Sequence, residues 1–205
     1  MIKLWGHPRA PNVRKVIWMM REVGVAFELL PTGGSHGGQN TAEYLARNPN
    51  GRIPTIEDGG FVLWESHTIL RYLARKANCD ALYPSDAQSA AITDQWLDWH
   101  GQHMGPAVRT LVLMTVRAEA PSDPVDLSVA QAEAEGLFAI MESRLARSAY
   151  VGGDSFTISD ISAGVAFDRW STLPLERPHL NACERWFSEV SARPAFPGRT
   201  GQSLT

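Results

Sequence analysis

The apolar residues of the chain fall into two regimes, one mixing short runs with one helical period, the other almost wholly helical. Ile2 to Trp5 is a short apolar strand, and Pro11 then stands where a first helical residue belongs. Val13, Val16, Ile17 and Met20 follow at the i, i+3, i+4, i+7 spacing of a helix packed along one side. Gly24 suits the position just past its C-terminus, and Val25 to Leu30 reads as a second strand. That β-α-β order predicts parallel strands joined by a right-handed crossover. Residues 31 to 40 carry Gly33, Gly34, Gly37 and Gly38 in no nucleotide-binding pattern, and read as a flexible loop. Thr41 caps a short helix to about Arg47. The run Thr55 to Glu57 and the run Phe61 to Trp64 flank Asp58-Gly59-Gly60, a β-hairpin signature. Ile69, Leu70, Tyr72 and Leu73 then repeat at helical spacing behind Ser66, which reads as an N-cap.

Residues 76 to 86 break the periodicity. Beyond them Ala87 to Glu119 forms one long helical pattern with a kink or break expected at Gly105-Pro106. Asp126 to Ser148 is a second, with Leu137, Ile140, Met141 and Leu145 on one face. Thr157 and Asp160 have capping-box spacing, and Phe156 and Ile161 that of a hydrophobic staple, so Asp160 is read as a folding residue. A last helix spans about Leu180 to Ala192, stopped by Pro194, and the tail to Thr205 is irregular. The expected organisation is a β-α-β-α-β-β-α domain over 1–76, a linker over 77–86 and an all-helical domain over 87–205.

Composition narrows the function classes. With 205 residues, 44% hydrophobic and 20% charged, the chain has the make-up of a soluble globular protein. A net charge of −3 gives no electrostatic case for nucleic acid or an anionic membrane. No apolar run is long enough to span a bilayer, and no basic segment with an apolar core opens the chain, so a cytoplasmic location is expected. Cys79 and Cys183 are isolated, in no CxxC or metal spacing, and read as inert thiols.

One stretch carries the chemistry: Asn48-Pro49-Asn50-Gly51, then Ile53-Pro54, then the hairpin, then Glu65-Ser66 opening a helix. A helix start offers unpaired N–H groups and partial positive charge to a carboxylate, and the adjacent acid suits an ammonium. Together they make a clamp for an amino acid's polar end. This string resembles the glutathione site of cytosolic glutathione transferases, of the bacterial, theta/nu-like type. The resemblance covers nearly the whole chain. It implies a thioredoxin-like N-terminal domain followed by a helical one, and a symmetric homodimer. It also implies a cis proline at Pro54 that leaves the Ile53 backbone to pair with the cysteinyl part of glutathione. Glu65 and Ser66 match the pair that holds its γ-glutamyl end. Glutathione is then a co-substrate, and no separate cofactor is expected.

Members of that family make the glutathione thiolate usable at neutral pH, commonly with Tyr, Ser or Cys after the first strand. Residues 1 to 31 contain no Ser, Thr, Tyr or Cys. Ala10 stands at the serine position and Trp5 about where a tyrosine is needed. Asn12 is the remaining candidate: its amide can donate to a sulfur anion at the helix start, although a helix-start residue bonding its own backbone is the competing reading. Arg9 and Arg14 read as solvated surface cations. Gln39 and Arg52 are candidates for the glycyl carboxylate. The second-substrate pocket is expected between the domains, facing the first long C-terminal helix, with His103 as its polar residue. Neither His100 nor His103 forms a metal pair.

Three functions remain open: conjugation of glutathione to a hydrophobic electrophile, glutathione-dependent disulfide or peroxide reduction, and a binding or regulatory module that has lost activity. The absent serine-cysteine signature argues against maleylacetoacetate isomerase.

Overall fold

Strand pairing fixes the first half. The computed structural model describes residues 1–118 and 122–198. Strand β1 (Ile2–Gly6), helix α1 (Pro11–Glu22) and strand β2 (Phe27–Pro31) open the chain. Helix α2 (Ala42–Arg47), strands β3 (Thr55–Asp58) and β4 (Phe61–Trp64) and helix α3 (Ser66–Lys76) complete the series. The four strands lie in the order β2-β1-β3-β4, with β1 parallel to β2 and antiparallel to β3. This is the expected thioredoxin-like order. The second strand starts at Phe27 rather than Val25 because Ile2 pairs with Phe27, while the Val25 N–H donates back to the Met20 carbonyl. In the hairpin Asp58 pairs with Phe61, so the turn is only Gly59-Gly60. Both take positive φ, 59° and 92°, which glycine adopts without a Cβ clash.

The predicted face of α1 is buried in full, and Trp18 and Met19 join it. Each such side chain contributes about 1.5–3 kcal/mol on removal from water. Two charged residues on α1 are buried as well, Arg14 and Lys15, each 2% exposed. Arg14 is therefore not a solvated surface cation: its guanidinium lies over the Phe196 ring, 6.0 Å from the centroid. Phe196 also meets Trp18 edge-on at 4.9 Å, so Pro194–Pro197 belongs with Met1–Tyr83 in one compact unit.

The second unit, built from Pro84–Arg193, is helical. Helix α4 (Ala87–Trp99) runs into a π-helical segment, His100–Met104, and then into helix α5 (Gly105–Thr115). The kink or break expected at Gly105-Pro106 takes the form of this widened π-helical turn rather than a break in the helix. The Gly105 N–H donates to the His100 carbonyl, five residues back, and the widened turn just ahead of Pro106 keeps the chain helical. A Cβ at Gly105 would sit 3.1 Å from that carbonyl, so the turn is tight enough to favour glycine. The expected end of this pattern at Glu119 and the tail over 199–205 lie outside the described residues.

Helix α6 spans Pro124–Leu145, capped by the Asp123 carboxylate. Its buried stripe is Ala130, Ala134, Phe138, Met141 and Leu145. The face read from the sequence is thus turned: Met141 and Leu145 belong to it, but Ile140 is 51% exposed. Small alanines, which a hydrophobic count underweights, set the line of closest packing. Helix α7 (Ile158–Ser171) is almost wholly buried, and helix α8 (Asn181–Ser191) closes the unit. Trp170 and Trp186 are in this core, while Trp96 and Trp99 are half-buried and meet edge to face. Both cysteines are free, and burial pushes the Cys183 thiol far up. Among the described residues no helix is long and apolar enough to cross a membrane.

Asp160 organises the second core. It forms the capping box with Thr157, and its carboxylate accepts from the Val151 N–H at 3.0 Å, the Thr157 N–H at 2.9 Å and the Trp186 indole N–H at 2.9 Å. Burial still pushes its pKa up to about 6 against those donors. It is a folding residue. Asp160→Asn keeps the volume but turns an amide donor toward N–H groups. It is expected to lower stability by about 2–3 kcal/mol in urea unfolding of the full chain.

Candidate functional site

The register brings three chain segments to one end of the sheet. Thr55 pairs with Trp64 across the hairpin, so Ile53-Pro54, just before it, lies beside Glu65-Ser66, just after its partner. Thr55 also pairs with Trp5, which sets the turn from Gly6 to Ala10 at the same end. Asn12, in the first turn of α1, follows that turn. Four of the sequence-predicted residues, Asn12, Ile53, Glu65 and Ser66, are therefore brought together.

Each of these four has hydrogen-bonding capacity to spare. The Ile53–Pro54 peptide is cis. Among the described residues nothing hydrogen-bonds the Ile53 N–H or carbonyl, the Asn12 amide, the Glu65 carboxylate or the Ser66 hydroxyl. Asn12 does not bond its own backbone, which removes the competing reading of its presence. Ser66 is the first residue of α3 rather than its N-cap. Glu65 caps instead: its carbonyl accepts the Ile69 N–H at 2.9 Å, and its backbone sits at φ 71°. That left-handed conformation costs a side-chain-bearing residue about 1–2 kcal/mol and is where a strand turns abruptly into a helix.

The loop from residue 31 to residue 40 packs against this end. It contains a 3-10 turn, Gly34–His36, closed by the Gly33 N–H donating to the Gly37 carbonyl at 2.7 Å. A Cβ at Gly33 would come within 2.8 Å of the Ile53 side chain, so glycine allows the contact. Gln39 follows, half-buried, its Oε1 buried with no partner among the described residues. Arg52 is exposed, and its carbonyl accepts from the Tyr44 hydroxyl at 2.5 Å and the Asn48 amide at 2.9 Å. Trp5, at the tyrosine position, is half-buried under the Arg47 guanidinium at 5.0 Å. His103 belongs to the helical unit and stands exposed on its π-helical segment. Among the described residues no group of three or more His, Cys, Asp or Glu side chains is arranged to hold a metal ion.

Sequence reading missed the groups that hold these segments. Asn48, read as part of a surface turn, is 2% exposed. Its amide donates to the Arg52 carbonyl and to Thr55 Oγ1 at 3.1 Å, and its own oxygen accepts the Asn50 N–H at 3.1 Å. The Tyr44 hydroxyl shares Thr55 Oγ1 at 2.8 Å. This buried network grips the chain on both sides of Ile53-Pro54, and burial pushes the Tyr44 phenol up. Lys15 and His67 were missed too, with Lys15 Nζ 3.2 Å from His67 Nε2. The only signal for Asn48 in the sequence was its place in a dense turn beside Ile53-Pro54. Lys15 stood inside the apolar stripe of α1.

Residues 1–75 match the family model for the N-terminal domain of glutathione S-transferases. The chain is 31% identical to glutathione S-transferase GstB of Escherichia coli K12, over 95% of each. It is 34% identical to glutathione S-transferase 3 of Zea mays, over 95% of this chain and 91% of that one. Among solved structures, a theta class glutathione S-transferase from Xanthomonas axonopodis pv. citri with glutathione bound is similar at 37% identity and a TM-score of 0.93, covering 100% of this chain and 99% of that one.

The strained junction gives a direct test. Glu65→Gly is expected to be more stable than Glu65→Ala by about 1 kcal/mol in urea unfolding, the reverse of the usual order in regular structure. Equal stabilities would show that the left-handed backbone is not held in solution.

Proposed function

The chain belongs to the glutathione S-transferase family, and from that premise we propose that its own Asn12, Ile53, Glu65 and Ser66 hold glutathione and use its thiol. One observation carries the assignment: groups with no hydrogen-bond partner among the described residues converge from three segments on one end of the sheet. The protein is a glutathione transferase. The first unit, Met1–Tyr83 with Pro194–Pro197, is its glutathione-binding domain, and Pro84–Arg193 forms its helical domain.

Glu65 pairs with the ligand amine. Ser66 and the N–H groups opening α3 take the γ-glutamyl carboxylate, where the helix dipole favours an anion. The Ile53 main chain pairs with the cysteinyl residue, and Gln39 and Arg52 serve the glycyl carboxylate. A free thiol titrates near ~8.5, so the site must favour the anion. Asn12 donates its amide N–H to the sulfur, at the N-terminus of α1, where the dipole adds about 0.3–1 kcal/mol. The S–H proton leaves to solvent, and the thiolate attacks an electrophilic carbon. A C–S bond forms and the leaving group departs with its electron pair. The second substrate is a small hydrophobic electrophile or disulfide, with His103 as a polar contact, and the active form is a cytoplasmic homodimer.

Ala10 at the serine position favours a second reading, a glutathione-binding module with weak catalysis; glutathione-dependent disulfide reduction is a third. Calorimetric titration with glutathione separates them when thiolate absorbance is read across pH on the same samples. Glu65→Ala is expected to weaken binding by about tenfold or more, from the loss of a charge-assisted hydrogen bond. Asn12→Ala is expected to leave binding nearly intact and to raise the bound thiol pKa by about one unit. Tight binding with an unshifted wild-type thiol would favour the binding module. Turnover with a disulfide and little with an aromatic halide would favour reduction. No binding of glutathione would remove the assignment.

A further inference from the structure

A buried lysine and a half-buried histidine stand together in the first unit. An ammonium is seldom taken out of water without a partner. Lys15 is nonetheless 2% exposed, with its Nζ 3.2 Å from Nε2 of His67. Lys15 lies one helical turn beyond Asn12 on α1, and His67 lies two residues beyond Glu65 in the first turn of α3. The Lys15 charge also interacts with the Glu65 carboxylate. One buried side chain thus connects both halves of the candidate site.

We propose that Lys15 is a positioning residue: seated on His67 at the start of α3, its ammonium is the counter-charge that keeps Glu65 competent to hold the amine of glutathione. This rests on the glutathione reading above. Glu65 is exposed in the free protein. A ligand seated on it displaces its water, and a carboxylate removed from water needs a compensating charge close by. The γ-glutamyl end is a zwitterion that brings no net charge, so the compensation comes from Lys15. Burial, with the charges of Lys15 and Arg71, holds His67 far below its ordinary pKa. It is then a neutral imidazole whose Nε2 accepts from the ammonium.

The other charged groups here are Glu65, Arg71 on α3 and Arg14 on α1, whose guanidinium lies over Phe196. Burial lowers the Lys15 ammonium to about 7, against the charge of Glu65, which raises it. It is charged below that pH and neutral above. Affinity for the ligand therefore falls as pH rises through about 7, which by linkage means that binding takes up protons.

The test is calorimetric titration of the full chain with S-methylglutathione, whose capped sulfur removes the thiol's own ionisation. Wild type, Lys15→Met and Lys15→Arg are compared at about pH 6 and about pH 8.5, on either side of the Lys15 titration. The ligand amine titrates alike in all three, so the readout is the ratio of Kd values. Lys15→Met fills the same volume without charge, and urea unfolding of each variant reports its fold. Lys15→Met is expected to bind about tenfold more weakly than wild type at the lower pH, with the ratio closing toward one at the higher. Lys15→Arg, charged throughout, is expected to match wild type at the lower pH and exceed it at the higher. A Lys15→Met ratio that stays constant across pH is what a purely structural role gives, and it overturns the proposal. Failure of the wild type to bind at either pH would instead overturn the glutathione reading.

Discussion

The site depends on one backbone conformation, that of Glu65. A residue with a long charged side chain is held at φ 71°, in the region that glycine occupies most easily. It persists because both neighbours are fixed. Trp64 is locked into β4 opposite Thr55, and the Glu65 carbonyl must accept the Ile69 N–H for α3 to begin. Ile69, Leu70 and Leu73 are fully buried, so α3 cannot shift to relieve the junction. Strain over-determined in this way is characteristic of functional sites. Here it turns the last strand into a helix within one residue and leaves a carboxylate beside a helix N-terminus and the Ser66 hydroxyl, which has no hydrogen-bond partner among the described residues.

The rest of the first unit supplies fixed points for that junction. Asn48, Tyr44 and Thr55 share hydrogen bonds under Ile53-Pro54, and Thr55 is also a strand partner of both Trp5 and Trp64. One buried hydroxyl thereby links the loop after α2, the central strand pair and the hairpin. In the second unit Asp160 acts in the same way, drawing Val151, Thr157 and Trp186 onto a single carboxylate. In both units a satisfied buried polar group specifies geometry that apolar packing alone leaves degenerate.

Element order was legible because period and turn chemistry are local. The 3.6-residue stripe of α1, the Gly59-Gly60 turn and the Thr157 capping box each act within a few residues. What escaped depends on contacts far along the chain. Ser66 has the chemistry of an N-cap, but the sharp exit from β4 moved that position to Glu65. Gly105-Pro106 reads as a kink or break, and only the five-residue hydrogen bond to His100 shows how the helix passes through. Asn48 and Lys15 carry residue types that favour the surface, and their burial follows from partners seven and 52 residues away. The candidate site was more legible than its supports, since Ile53, Glu65 and Ser66 form a compact string whereas Tyr44, Thr55 and His67 act through the fold.

The most direct measurement of the central claim is a titration of isotope-labelled protein with glutathione, followed through its backbone amide resonances. The largest shifts are expected at Asn12, Ile53, Glu65, Ser66 and His67, the end of the sheet where the three segments meet. Shifts confined to other parts of the chain, with those amides unmoved at saturation, would contradict that claim.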